Sequence, residues 1–183
     1  MNDQIILELS LSDLIERPRL WRGVLTFIKT TIFTIFVPGT VTILVPRWLL
    51  ASSAGSERFN IGVFRYVGVV PILLGALIYL WCAWDFTFAG KGTPAPIDPP
   101  KELVARGLYR YVRNPMYVGI ASVLIGETLL FQSLVLFAYL AAVLLAFGSF
   151  VVFYEEPALT RKFGESYLRY RKDVPRWIPR LKS

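Results

Sequence analysis

The chain has 183 residues, 55% of them hydrophobic, a positive mean hydropathy and a formal net charge of +7. That apolar content excludes a single soluble domain and predicts a polytopic, all-α membrane protein. The basic residues flank apolar runs, which is the positive-inside pattern and not a nucleic-acid footprint. Because there is no histidine and only one cysteine, Cys82, the sequence excludes Ser-His and Cys-His nucleophiles, histidine-ligated haem, the usual zinc centres and an intrachain disulfide, and no metal is expected.

Residues 1–22 are polar and mixed, with Leu7, Leu11, Leu14 and Ile15 at helical spacing before Arg17, Arg19 and Arg22. They read equally as an amphipathic helix on the membrane surface or as a solvated arm. Residues 23–183 form the single membrane domain. Its first span runs from about Val24 to Leu50, longer than the apolar stretch of a cleaved signal peptide, with Lys29 near one end able to snorkel. Pro38-Gly39 in its middle invites a kink. The second span lies among the 19 uncharged residues between Arg65 and Asp85.

The segment 90–100 holds four prolines and two glycines, which forbid helix and favour extended or turn structure. The basic, aromatic stretch 101–113 follows and ends at Asn114-Pro115. Asn is a favoured N-cap and Pro a favoured first helical residue, so the third span is predicted to start there. Its positive dipole end then faces the boundary, ready for a carboxylate.

Between Arg113 and Glu155 the chain runs 41 residues with one charge, Glu127. Gln132 and Ser133 mark a turn, leaving flanks of 17 and 21 residues, each near the ~20 needed to span hydrocarbon. The run is therefore a transmembrane hairpin whose two feet, Arg113–Tyr117 and Tyr154–Pro157, meet at one membrane face. Glu127, about 12 residues and ~18 Å into the third span by the 1.5 Å rise, reads either as a functional acid or as one that reaches water near the far boundary.

Pro157 predicts a bend near Glu155-Glu156. Adjacent carboxylates at a helix C-terminus repel each other and the dipole, so a cation should relieve them. Arg113, Arg161 and a ligand cation all qualify, and a purely structural pairing is the other reading. Leu159, Phe163, Tyr167 and Tyr170 then recur at helical spacing on a basic segment, predicting an interfacial helix. The stretch 174–179 closes the chain with Trp177 at the interface.

Lys and Arg counts set the orientation. Three precede the first span, five lie in 86–113, eight follow residue 155 and none lies in 131–134. Four spans with both termini cytoplasmic place every rich segment inside. Splitting the first span at Pro38-Gly39 gives five and puts the basic 86–113 loop outside unless the N-terminus flips, so four is preferred.

The motifs Gly107–Gly119, Tyr154–Pro157, Phe163–Tyr167 and Val174–Pro179 together resemble the membrane methyltransferase superfamily of isoprenylcysteine carboxyl methyltransferases and phospholipid N-methyltransferases. The resemblance covers roughly Gly75 to Ile178. Asn114 stands where the carboxyl methyltransferases usually have His, as in the phospholipid branch. The Gly-x-Gly cofactor motif of that branch is not evident, and Gly75 alone sits in the corresponding span.

The resemblance implies an integral protein of a bacterial inner membrane that binds S-adenosylmethionine within 86–183 and methylates a membrane lipid or other amphiphile, with no oligomer predicted. It implies that Tyr109, Arg113, Asn114, Pro115 and Tyr117 frame one side of the cofactor pocket, and Glu155 and Glu156 the other. A carboxylate acceptor needs a guanidinium, from Arg113, Arg169 or Arg176; an amine acceptor must lose a proton, with Glu127 or Glu155 assisting. The catalytic candidates are Arg113, Glu127 and Arg176. Two rivals stay open: an NADPH-dependent reductase of the membrane sterol and steroid type, and a non-enzymatic membrane protein.

Overall fold

A computed structural model describes residues 26–52, 58–88, 103 and 105–179. The expected N-terminal arm and the proline-rich segment lie outside the described residues. Helix α1 spans Thr26–Ser52. A 3₁₀ turn, Gly62–Gly68, leads into α2, Val69–Phe88. Helix α3 is Pro115–Phe131, and α4 is Leu134–Phe150. A π turn, Val151–Glu155, carries α4 into α5, Glu156–Phe163, and α6 is Glu165–Asp173.

The helical runs Thr26–Ser52, Gly62–Asp85 and Leu134–Phe163 are long and apolar enough to cross a membrane, and α3 is a shorter apolar helix. Its 17 residues rise about 25 Å. The fold is an all-α membrane bundle, whose faces towards lipid carry large apolar side chains such as Leu77, Trp81 and Phe137.

Helix α1 passes Pro38-Gly39 as one helix, so the five-span division is not seen. Main-chain bonds continue on both sides of the proline, Val37 N to Phe33 O at 2.9 Å and Val41 N to Val37 O at 3.1 Å, and the π turn Thr40–Leu44 absorbs the irregularity. Tyr139 Oη donates to the Val41 carbonyl at 2.9 Å, tying α4 to that turn.

Helices α2 and α3 pack through two glycine pairs. A Cβ on Gly75 would strike the Gly119 carbonyl, and one on Gly68 would strike the Gly126 carbonyl. Each pair is seven residues apart on both helices, so the antiparallel backbones approach along one continuous seam. Gly75 is thus a packing residue, which leaves the sequence's weak cofactor reading of it without geometric support. Tyr79, Ala83, Ile120, Leu124, Leu140 and Val143 fill the core beside the seam.

The predicted hairpin turn is present. Gln132 adopts φ 53°, its Oε1 accepts from Ile61 N at 2.9 Å, and Ser133 Oγ caps α4 by accepting from Leu136 N at 3.4 Å. Near Glu155-Glu156 the helix stays continuous to Phe163 through a π turn, which hands the Glu156 N–H to the Val151 carbonyl and shifts the register around the missing donor, so a separate helix does not start at Pro157. One expectation needs correction: the single interfacial helix is broken, at Gly164 with φ 51°, so α6 turns back and buries Tyr167 in the protein.

Candidate functional site

The site builds up at the end of the bundle where α3 begins and α4 passes into α5. Pro115 opens α3 with its φ already helical, leaving residues 105–114 as a short irregular lead-in with a 3₁₀ turn at Gly107–Arg110. Asn114 holds the N-cap position, but its side chain makes no cap: Nδ2 donates to the Arg176 carbonyl at 3.2 Å. Arg113 N likewise donates to the Pro175 carbonyl at 2.9 Å. These bonds strap segment 174–178 across the start of α3. The capping role read from the sequence is therefore replaced by a long-range tie.

The adjacent carboxylates divide their partners. Glu156 is buried and meets Arg113 Nη1 at 3.0 Å. Arg176 donates to it through both Nε and Nη2, at 2.8 and 3.1 Å, and Arg171 Nε stands 3.8 Å away. Of the partners the sequence offered, Arg113 is the one found; Arg161 is exposed and outside the cluster. The Glu156 carboxylate holds the Arg176 proton more tightly than usual. Glu155, one residue earlier on the π turn, faces elsewhere: Tyr117 Oη donates to its Oε2 at 2.9 Å.

Aromatic side chains wall this pair. Tyr117 tilts against Phe147 with centroids 4.7 Å apart and meets the edge of Trp177 at 6.4 Å. Tyr109 is buried, packs on Cys82, and has its phenol pushed well up by that burial, so it stays neutral. Tyr170 Oη donates to the Tyr109 carbonyl at 2.7 Å.

One donor at the centre is unsatisfied. Arg113 has a side chain only 9% exposed, yet its Nε is buried without a hydrogen-bond partner among the described residues, while Nη1 serves Glu156 and a 3.4 Å bond to Tyr167 Oη. A buried guanidinium N–H without an acceptor costs free energy that an anionic or carbonyl group would recover. Three guanidiniums share the single Glu156 carboxylate here. An N–H left without an acceptor, at the same end of the bundle as the Glu155 carboxylate, suits a small zwitterion.

The structure thus brings together Tyr109, Arg113, Asn114, Pro115, Tyr117, Glu155, Glu156 and Arg176. It does not bring Glu127, which lies about three turns along α3 from the site. Arg169 is exposed and joins none of the cluster's ion pairs. Arg171 and Tyr167 belong to the cluster and were missed, because only the break at Gly164 turns α6 back; glycine after the basic turn Arg161-Lys162 was the available signal. An apolar cavity of about 300 Å³ between α1 and α2, lined by Phe27, Thr34, Ile35, Leu80 and Trp84 among others, contains none of these residues.

Residues 63–166 match the phospholipid methyltransferase family model. The chain is also similar to the protein-S-isoprenylcysteine O-methyltransferase of Schizosaccharomyces pombe, 42% identical over 77 residues that cover 42% of this chain and 33% of that protein. With the protein of the same name from Xenopus laevis it shares 40% identity over 122 residues, 64% of this chain and 41% of the relative. The chain thus spans less than half the length of the curated relatives it matches. No solved structure matches it.

Proposed function

The chain belongs to the phospholipid methyltransferase family, and from that premise we propose that it transfers a methyl group from S-adenosylmethionine to an amphiphilic acceptor at the membrane surface. The observation that carries the reading is the meeting of the two polar feet, Arg113 with Glu156 and Tyr117 with Glu155, with an Arg113 N–H left unpartnered among the described residues.

The residues fit the cofactor. Arg113 Nε would take its carboxylate and Glu155 its ammonium, while Tyr117 and Trp177 shield both from water. Bound there, the sulfonium supplies an activated methyl group. Displacement from sulfur releases a neutral thioether, so the protein needs no nucleophile of its own; orientation and water exclusion suffice. Glu156 acts indirectly, holding Arg113 and Arg176 in place. Glu127 has no part in this step.

The acceptor is amphiphilic in this reading because exposed Phe153 and Tyr154 directly precede Glu155 at the end of a membrane-crossing helix. An S-isoprenylated cysteine carboxylate, the group named in the relatives, and a phospholipid amine, the group of the family's name, are the two candidates. The location proposed is the cytoplasmic membrane of a bacterium, with both termini inside, the orientation that the loop charges favour.

Membranes containing the protein, supplied with methyl-tritiated S-adenosylmethionine and either a small S-isoprenylcysteine or phosphatidylethanolamine vesicles, test the proposal. Label that is organic-extractable and released by mild alkali is a methyl ester; alkali-stable label is an N-methyl amine. Incorporation into neither acceptor, with cofactor in excess, contradicts the reading.

A further inference from the structure

Asp85 lies in the last turn of α2, at the same end of the bundle as the site. A carboxylate there opposes the negative end of the helix dipole. It is nevertheless buried, 9% exposed as a residue, and its Oδ2 has no hydrogen-bond partner among the described residues. Its other oxygen has one long ion pair, 3.7 Å to an Arg106 side chain that is itself 56% exposed. A buried acceptor left in this state is unfavourable by itself and gains from a donor brought to it.

The backbone opposite puts no side chain on that oxygen. Gly107 adopts φ 56°, and a Cβ there would strike Asp85 Oδ2 directly. Two residues further on, Tyr109 packs on Cys82, one turn before Asp85 on α2. Tyr109 also lies within electrostatic reach of Glu155. Asp85 and Glu155 therefore lie on either side of Tyr109, one from α2 and one from the π turn after α4.

Resting on the methyltransferase reading, we infer that Asp85 is a further cofactor-binding residue, accepting hydrogen bonds from the ribose hydroxyls of the bound S-adenosyl compound. With the amino-acid end of the cofactor at Arg113 and Glu155, the vicinal diol is the donor pair left for a second carboxylate. Neutral donors suit Asp85 because Arg106 already supplies its countercharge. The cofactor site expected within 86–183 thus reaches back into α2.

Equilibrium binding of tritiated S-adenosylhomocysteine to the purified full chain in detergent, with its 2′,3′-dideoxy analogue as competitor, tests this. Asp85→Asn should weaken S-adenosylhomocysteine at least tenfold. The dideoxy analogue should bind wild type and Asp85→Asn within about threefold of each other, and Arg106→Ala should bind S-adenosylhomocysteine almost normally. Equal loss for both ligands, or the same loss in Arg106→Ala, would make Asp85 a tether for Arg106 and overturn the inference, as would an unchanged affinity. If wild type binds neither ligand, the methyltransferase reading itself fails first. Thermal unfolding of each variant identifies a loss that comes from misfolding, and Asp85→Glu, which keeps the acceptor, should restore part of the affinity if the carboxylate is the contact.

Discussion

Glu155 and Glu156 are neighbours in sequence but should respond differently to the same substitution. Glu156→Gln leaves three guanidiniums without their shared counter-ion, and one of them, Arg113, is well inside the protein. Breaking such a buried pair from one side costs about 3–5 kcal/mol, so the thermal unfolding midpoint in detergent should fall sharply. Glu155→Gln keeps an oxygen for the Tyr117 hydroxyl and should unfold close to wild type. Its loss should instead appear in cofactor affinity, roughly ten- to a hundredfold. Arg113→Lys keeps the charge but has no Nε fork, so it should lose most of the methyl transfer that Arg113→Ala loses. Near-normal turnover in the lysine variant would leave Arg113 as a headgroup anchor. The sequence identified both carboxylates and Arg113, because the residue types and their position at the hairpin feet are local facts. It could not divide their roles: which carboxylate faces Tyr117 depends on the register shift in the π turn, set by packing around Pro157.

At the scale of the helices, the seam between α2 and α3 depends on side chains that are absent. Gly119→Val should separate the two backbones, since even its Cβ would sit 2.8 Å from the Gly75 carbonyl. Overpacking of this kind costs about 1–3 kcal/mol and should lower the folded yield. Gly148 has open space around it, so Gly148→Ala, a helix interior position, should be neutral or slightly stabilising. Equal tolerance at both positions would show that the seam is not needed. The spans and the Gln132-Ser133 turn were legible because hydrophobic length and turn chemistry are written locally. The glycine spacing was equally visible, at 68 and 75 and at 119 and 126, but a single helix gives no reason to pair the two sets. The fate of the C-terminal helix was hidden for a related reason: its aromatic periodicity suits a membrane surface and a protein surface alike, and Gly164 decides between them.

For the whole molecule, the loop charges predict that the hairpin turn faces the non-cytoplasmic side. Ser133 is buried and caps α4, so the exposed neighbour Phe131 is the better reporter. A cysteine at Phe131 should react with a membrane-impermeant maleimide added outside intact cells, against a silent background because Cys82 is fully buried. Labelling only from the inside would invert the topology. The central claim is that the joined feet of this hairpin bind an S-adenosyl compound, and thermal unfolding of the purified protein with S-adenosylhomocysteine or NADPH tests it most directly. A ligand at a hundred times its dissociation constant stabilises the native state by about 2.7 kcal/mol. The account predicts an upward shift with S-adenosylhomocysteine that is lost in Glu155→Gln and Arg113→Ala and is absent with NADPH; a shift with NADPH alone would contradict it.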